Sequence, residues 1–452
     1  MAKLAQIYYS VSVKITSIEV SDFWGYRSLQ FKLKKDVNLI IGKNGSGKTQ
    51  LLSLIIAAIN VNLDKIKDIS FSKLSIKYNK GKQSGILEVS KETLEFERSI
   101  KRVNGIRNNS IAKIPIVRYF LDGKSYIIQE RDSAYTMGFS IDQETENVSV
   151  DHMHDILGRV FKTVFLSVSR RNDDIKVRFN GERFTGQSVR TEAIEQKIGN
   201  LLDRLGNNRV RLANLVASVN KKGEKDLLTT LLFSQNDAVI PAIEAFDSAK
   251  AKSSLIGTLK NLDFLDDQLL DRIESTFIDV ETYIPRRNEI FQNVQSDIES
   301  FNRLVAAMEF ISKVSKVSKI AVNTEREKDK IMSPWDAYIN TLQDFMQDKS
   351  FKFDEDGRFK SFKSERPIEI EQLSSGEKQI FVMLTDAYLE SGVDHIFFAD
   401  EPELSLHLEW QEKILPSLTF LNRKAQYIMV THSPEIAGRY PDSIFDMEDI
   451  TQ

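Results

Sequence analysis

Apolar and polar residues alternate between Val13 and Leu33, with Ile15, Ile18 and Val20 in strand-like positions, until Asp22-Phe23-Trp24-Gly25-Tyr26-Arg27 interrupts them as a turn. This predicts an antiparallel pair. The largely apolar run Val37-Asn38-Leu39-Ile40-Ile41 then reads as a buried strand, and Gln50-Leu51-Leu52-Ser53-Leu54-Ile55-Ile56 reads as a helix. Short alternating segments follow at Lys73 to Tyr78, Ile86 to Val89, Thr93 to Ile100, Ile114 to Phe120 and Ser125 to Gln129. Gly81, Gly85, Gly105 and Gly123 separate them, so a β-rich lobe is expected. Val160 to Ser169 predicts one more buried strand, closed by the polar turn Arg170-Arg171-Asn172.

From about Arg190 to Asp348 the period changes to three and four. Ile290, Val294, Ile298, Phe301, Leu304, Met308, Ile311, Val314 and Val317 form one amphipathic run, and Leu255, Leu259, Leu262, Leu265, Leu269 and Ile273 form another. Pro285 lies between the two, which favours a helical arm or bundle over one long rod. The strand pattern returns at Phe351 to Phe353 and Arg358 to Phe362, joined as a hairpin across Asp354-Glu355-Asp356-Gly357. Apolar strands at His395 to Ala399 and Tyr427 to Val430 follow. The expected organisation is an α/β head in two pieces, residues 1–189 with the β lobe and 349–452, interrupted by a helical insertion at 190–348.

A length of 452 residues with 41% apolar content supports two or three cores. The formal charge of -3 argues against a surface built wholly for nucleic acid. A local basic excess remains on the β lobe at Lys73, Lys77, Lys80, Lys82, Arg98, Lys101, Arg102, Arg107 and Lys113, which could track phosphates, although solvated loops are the commoner explanation of such charge. The absence of cysteine excludes disulfides and thiolate metal sites. Met1 to Ser10 lacks a signal-peptide core, and no stretch has the roughly 18 apolar residues of a membrane span, so a cytoplasmic protein without a membrane partner is expected.

The chemistry concentrates at Gly42-Lys43-Asn44-Gly45-Ser46-Gly47-Lys48-Thr49, which fits the phosphate-loop pattern between a strand and a helix. Gly42, Gly45 and Gly47 let the backbone turn its amides inward, and the helix start presents further free amides to the same anion. Lys48 is placed to reach the β and γ phosphates of ATP, and Thr49 to put its hydroxyl on Mg2+. Gln372-Leu373-Ser374-Ser375-Gly376-Glu377-Lys378-Gln379 opens a helix whose serine and glycine can face an anion. The strand Ile396 to Ala399 ends in Asp400-Glu401, a carboxylate able to hold hydrated Mg2+ beside one able to polarise water. Thr431-His432-Ser433 ends another strand where a γ phosphate can be sensed. His152 and His154 suggest a metal pair on a strand, but the flanking Ile156, Leu157, Val160 and Phe161 favour a helix on which they diverge.

Taken together these segments resemble the ABC-type ATPases that are not transporters, the group of RecF, Rad50, the SMC proteins and the ATPase half of OLD-family nucleases. Gly42 to Thr49 matches Walker A, with Gly42, Asn44, Gly45, Ser46, Gly47, Lys48 and Thr49 binding nucleotide; Leu373 to Gln379 matches the ABC signature, with Ser374, Ser375 and Gly376 as its contacts. Ile396 to Glu401 matches Walker B, and Thr431 to Ser433 the switch histidine. The resemblance implies Glu401 and His432 as the hydrolytic pair and Thr49 and Asp400 as magnesium ligands. Asp400 to His407 looks especially like the OLD type, with Ser405-Leu406-His407 in the D-loop place. Gln129 and the Arg170-Arg171 turn are the candidates for the Q-loop.

The resemblance further implies a homodimer of heads, or a hexamer built from them, with ATP sandwiched between Walker A of one subunit and Ser375-Gly376 of the next, and slow hydrolysis. OLD nucleases carry a Toprim domain after the ATPase, whereas this chain ends at Gln452, so a separate nuclease partner is expected. This is the arrangement of bacterial anti-phage systems such as PARIS, with a Toprim partner, or Septu, with an HNH partner, triggered by a phage-encoded protein. A DNA-repair clamp of the RecF or Rad50 type, binding DNA through the basic lobe, is the alternative.

Overall fold

The computed structural model describes residues 13–99, 109–129, 145–166, 189–232, 247–261 and 265–451. The chain divides into two compact units, one of Met1–Gly206 with Ala337–Gln452, the other of Asn207–Asp336.

The first unit is built on two sheets. A five-stranded parallel sheet runs in the order β15-β3-β14-β13-β9, from β3 (Val37–Ile41), β9 (Thr163–Phe165), β13 (Ile396–Asp400), β14 (Gln426–Val430) and β15 (Ile444–Asp446). Asp400 pairs with Val430 and Val430 with Ile40, so the carboxyl ends of the three central strands lie level along one edge. Loops leaving that edge converge, as open parallel sheets arrange for their ligands. A seven-stranded sheet runs β2-β1-β4-β5-β6-β7-β8, from β1 (Val13–Phe23), β2 (Arg27–Lys32), β4 (Lys73–Lys80), β5 (Gln83–Ser99), β6 (Asn109–Leu121), β7 (Lys124–Gln129) and β8 (Thr145–Ser149). Only β7 and β8 pair in parallel there.

Two sequence expectations change in this sheet. The segments around Ile86 and Thr93 are one strand, because β5 pairs continuously with β6 from Leu87 to Ser99. The spacing Ile15 to Ile18 breaks strict alternation, yet both are buried, because a bulge between Ile15 and Ser17 resets the phase of β1.

Helix α1 (Lys48–Ile59) packs into the same core as residues of both sheets, and Leu51, Leu52, Leu54, Ile55, Ala57 and Ala58 are all buried. A helix apolar on nearly all sides has to be covered on nearly all sides. Tyr119 of β6 donates its hydroxyl to Ala58 O at 3.0 Å, which satisfies the tyrosine in the core. Short α2 (Leu63–Asp68) follows. Helix α3 (Val150–Val160) is capped by Ser149 and buries Met153 and Leu157, leaving His152 and His154 exposed on either side of Met153. No cluster of three metal-ligating side chains occurs among the described residues.

In the second half of this unit a three-stranded antiparallel sheet, β10 (Ser350–Phe353), β11 (Phe359–Lys363) and β12 (Arg366–Ile368), leads into α9 (Ser375–Leu389). Helix α10 (Leu408–Leu421) and the short α11 (Pro434–Gly438) complete it. No helix among the described residues is long and apolar enough to cross a membrane.

The second unit is helical. It takes the distal part of α4 (Val189–Leu232), then α5 (Ser248–Asn261), α6 (Asp267–Tyr283), α7 (Arg287–Gln292) and most of α8 (Ile298–Phe345). Leu255, Ile273, Phe277, Val314 and Val317 form one apolar cluster, and Val280, Ala307 and Ile311 another. Each long periodic run is broken once. Asp266 caps α6 by accepting from Leu269 N at 2.7 Å, which splits the run from Leu255 to Ile273. The run from Ile290 to Val317 is split between α7 and α8. Pro285 falls between α6 and α7, while Pro334 is accommodated inside α8. Gly223 lets α4 lie close to α8, since a Cβ there would stand 2.7 Å from Thr324 Oγ1.

Candidate functional site

Strand β3 delivers the chain into the loop Gly42–Thr49 at the carboxyl edge of the parallel sheet. Gly42, Gly45 and Gly47 all have positive φ, at 143°, 81° and 97°. Gly47 is doubly constrained, because an added Cβ would stand 2.9 Å from Trp24 Cζ2 and 3.0 Å from Phe23 Cε1. Those two rings stack at 5.3 Å and form a wall behind the loop, and Trp24 Nε1 donates to Gln50 on α1. Motif spacing predicts no role for Trp24; the only cue is a large aromatic in a turn just upstream of the loop.

Lys48 Nζ donates to Gly42 O at 2.7 Å and to Lys43 O at 2.9 Å, so the lysine curls back over its own loop. Burial lowers its pKa, opposed by the negative charges of Glu401, Asp400 and Asp446. Ser46 Oγ is buried and has no hydrogen-bond partner among the described residues. A buried hydroxyl in a glycine-lined cradle, beside a lysine and a helix start, suits an anionic oxygen. Thr49 Oγ1 donates to Asp400 Oδ1 at 3.2 Å, which brings the two expected magnesium ligands together. A magnesium ion on a triphosphate takes most of its ligands from phosphate and water, so two protein oxygens fit it.

Beyond Asp400 the backbone turns sharply. Glu401 has φ 50°, a left-handed conformation unfavourable for a side chain, and its amide donates to Val430 O at 2.9 Å. Strain of this kind persists where the surroundings over-determine it. His432 Nε2 lies 3.8 Å from Glu401 Oε1, and both side chains are partly exposed. Phosphate loop, strand-end acids and histidine therefore converge in one chain. Asn44 and Gly45 stand exposed at the loop tip.

Ser374, Ser375 and Gly376 open α9, which packs against the turn that follows Asp400-Glu401. No hydrogen bond or ion pair joins them to Gly42–Thr49 among the described residues. Ser374 caps α9 in a reciprocal box with Glu377: Ser374 N donates to Glu377 Oε2 at 2.9 Å, and Glu377 N to Ser374 Oγ at 3.4 Å. Lys349 holds Glu377 from behind at 2.6 Å. The two serines are exposed, whereas Gly376 is buried with the position of its Cβ only 2.8 Å from Ser405 O. Gln379 Nε2 donates to Pro402 O at 2.6 Å, so α9 is tied twice to the turn after Asp400. That tie joins residues twenty-three positions apart, and nothing in the local pattern predicts it.

Of the Q-loop candidates, Gln129 ends β7, where it pairs with Ser149, and Arg170-Arg171 lie outside the described residues. On the β lobe Lys73 is ion-paired with Glu88 and Lys77 with Glu19; Lys101, Arg102 and Arg107 also lie outside the described residues.

The sequence matches the AAA ATPase domain family over residues 14–437. A search among curated proteins finds no match. Solved structures similar to this one include the Smc head domain with an extended coiled coil bound to the C-terminal domain of ScpA, from Pyrococcus furiosus, at 13% identity over 96% of this chain and 93% of that one, TM-score 0.41. The Smc head domain with a coiled coil and joint from Pyrococcus yayanosii aligns at 13% identity over 96% and 95%, TM-score 0.38.

Proposed function

The chain belongs to the AAA ATPase domain family and is an ABC-type ATPase, and from that premise we propose that it is the ATP-dependent sensor and scaffold of an anti-phage defence system. In this reading two copies associate head to head, directly or within a hexamer. Each contributes Gly42–Thr49, Asp400, Glu401 and His432 to one nucleotide and the exposed Ser374-Ser375 tip to the other. What supports the composite site is the exposure of the capped Ser374-Ser375 tip, alongside a phosphate loop that already has its acids and histidine. Mg2+, held through Thr49 and Asp400, would draw off charge developing on the phosphates. Glu401 then accepts a proton from the attacking water, while His432 donates to the terminal phosphate.

The defence role rests on Asp400-Glu401-Pro402-Glu403-Leu404-Ser405-Leu406-His407, which resembles the OLD type, and on the long helical insertion. It gives the ATPase a separate nuclease effector, of Toprim or HNH kind as in PARIS or Septu, held until a phage-encoded protein triggers release. Sequencing the neighbouring gene and co-expressing its product, which this reading expects to be a Toprim or HNH nuclease, tests this. The two proteins should co-purify and restrict phage growth, and Lys48→Ala should abolish protection; full protection by Lys48→Ala would refute the role.

A second reading, a DNA-repair clamp of the RecF or Rad50 kind, draws on the basic β lobe. It requires duplex binding that weakens steeply with salt. The ion pairs of Lys73 and Lys77 with carboxylates reduce the charge the described part of that lobe can offer.

A further inference from the structure

The turn that follows Asp400-Glu401 carries one carboxylate for which nucleotide binding provides no task. Glu403 Oε1 accepts the backbone amide of His432 at 2.6 Å. Its second oxygen, Oε2, is buried and has no hydrogen-bond partner among the described residues. The turn itself is held by other groups: Leu404 N donates to Glu401 O at 3.1 Å, Leu406 N to Glu403 O at 2.9 Å, and Gln379 Nε2 to Pro402 O at 2.6 Å. The Glu403 side chain is therefore not needed to close its own loop, and it reaches across to the neighbouring one.

On that neighbouring loop, the residues flanking His432 are anchored independently. Thr431 N donates to Ile40 O at 3.2 Å, and Ser433 N donates to Thr431 Oγ1 at 3.0 Å. His432 stands between them, with its amide held by Glu403 and its Nε2 3.8 Å from Glu401 Oε1. A carboxylate accepting a backbone N–H makes a short, directional bond, stronger than one between neutral groups. It fixes where the histidine's main chain sits, and so where its ring can point.

We propose that Glu403 is a positioning residue for hydrolysis, pinning the His432 main chain so that the imidazole stays beside Glu401. The inference rests on the reading of Glu401 and His432 as the hydrolytic pair. Glu403 touches neither nucleotide nor water in this role. Its effect falls on turnover and leaves nucleotide affinity alone, because the phosphate loop has its own anchors in Lys48, Gly42 and Thr49.

The test compares the full-length wild type with Glu403→Ala, Glu403→Gln, His432→Ala and the Glu403→Ala/His432→Ala double variant, measuring kcat and KM for ATP and binding of a fluorescent ATP analogue. Displacing a catalytic group by about 1 Å costs about a hundredfold, so Glu403→Ala should lower kcat about ten- to a hundredfold with KM and analogue binding unchanged. Glu403→Gln keeps a neutral acceptor for the amide and should recover most of the loss, which also guards against misfolding of the alanine variant. In the double variant the positioned ring is gone, so it should be no slower than His432→Ala alone. Losses that multiply in the double variant overturn the proposal, as does a raised KM at intact kcat, or a glutamine variant as slow as alanine. If His432→Ala itself turns over at the wild-type rate, the reading of the hydrolytic pair fails, whatever Glu403 does.

Discussion

The tip of α9 offers a test of whether ATP is gripped between two copies of the chain. In Gly376→Ala the new Cβ would stand 2.8 Å from the carbonyl oxygen of Ser405. Ordinary carbon–oxygen contacts begin near 3.3 Å, so about 0.5 Å must be found between α9 and the turn. Ser405 has little room to give, since its φ of 72° already lies in the left-handed region. Overpacking of this size costs about 1–3 kcal/mol, which lowers the population of the competent arrangement roughly five- to 150-fold. The phosphate loop is untouched, so Gly376→Ala should bind ATP normally and hydrolyse poorly. Lys48→Ala should do the reverse, losing nucleotide binding while keeping an intact α9 tip.

Mixing the two inactive variants separates a shared site from a self-contained one. In an equimolar mixture half the dimers pair one variant with the other, and each such dimer contains one site with a sound phosphate loop facing a sound serine tip. Turnover should return to about one quarter of wild type, the share of all sites so assembled in a two-fold dimer. Activity would be followed by phosphate release after co-expression, with each variant measured alone as the baseline. A mixture no faster than the mean of its components, under conditions where subunits are shown to pair, would refute the composite site.

Two further outcomes follow. Glu401→Gln should retain ATP binding and lose turnover, and in size-exclusion chromatography with ATP it should accumulate as a stable dimer or larger assembly; wild-type turnover in this variant would remove Glu401 from the role of base. The network below α9 predicts a pH signature. Burial pushes the Glu390 carboxyl up, but His395 at 3.0 Å and the Arg204 guanidinium outweigh it and hold the carboxyl at about 2. A depressed acid contributes stability that is present above its unfolded value, near 4.5, and is lost as pH falls through about 2. Thermal melts should therefore find Glu390→Gln less stable than wild type at neutral pH, with the gap closing between about 4.5 and about 2; a gap independent of pH would remove the ion pairs as its cause.

The strand, loop and helix around Gly42–Thr49 and the strand ending in Asp400-Glu401 were legible because their patterns are local. Glycines at fixed offsets make the cradle of Gly42–Thr49, and an apolar strand ending in Asp400-Glu401 needs no distant partner to be recognised. The β lobe was legible as strands but not as one sheet with β1 and β2, since pairing across the sheet leaves no mark in periodicity. The long helical runs hid their breaks because apolar spacing continued through Asp266, and only the cap on Leu269 N reveals that the helix restarts there. What stayed hidden at the site is tertiary: the wall of Phe23 and Trp24 behind Gly47, the tie from Gln379 to Pro402, and the bond from Glu403 to His432.

The backbone at Glu401 sets the fold and its chemistry at odds. Glycine occupies left-handed φ without the penalty a side chain brings, and asparagine tolerates it better than glutamate does. A population of variants selected solely for heat tolerance would thus drift toward glycine or asparagine at this position, gaining a firmer chain and giving up the carboxylate proposed above as the base.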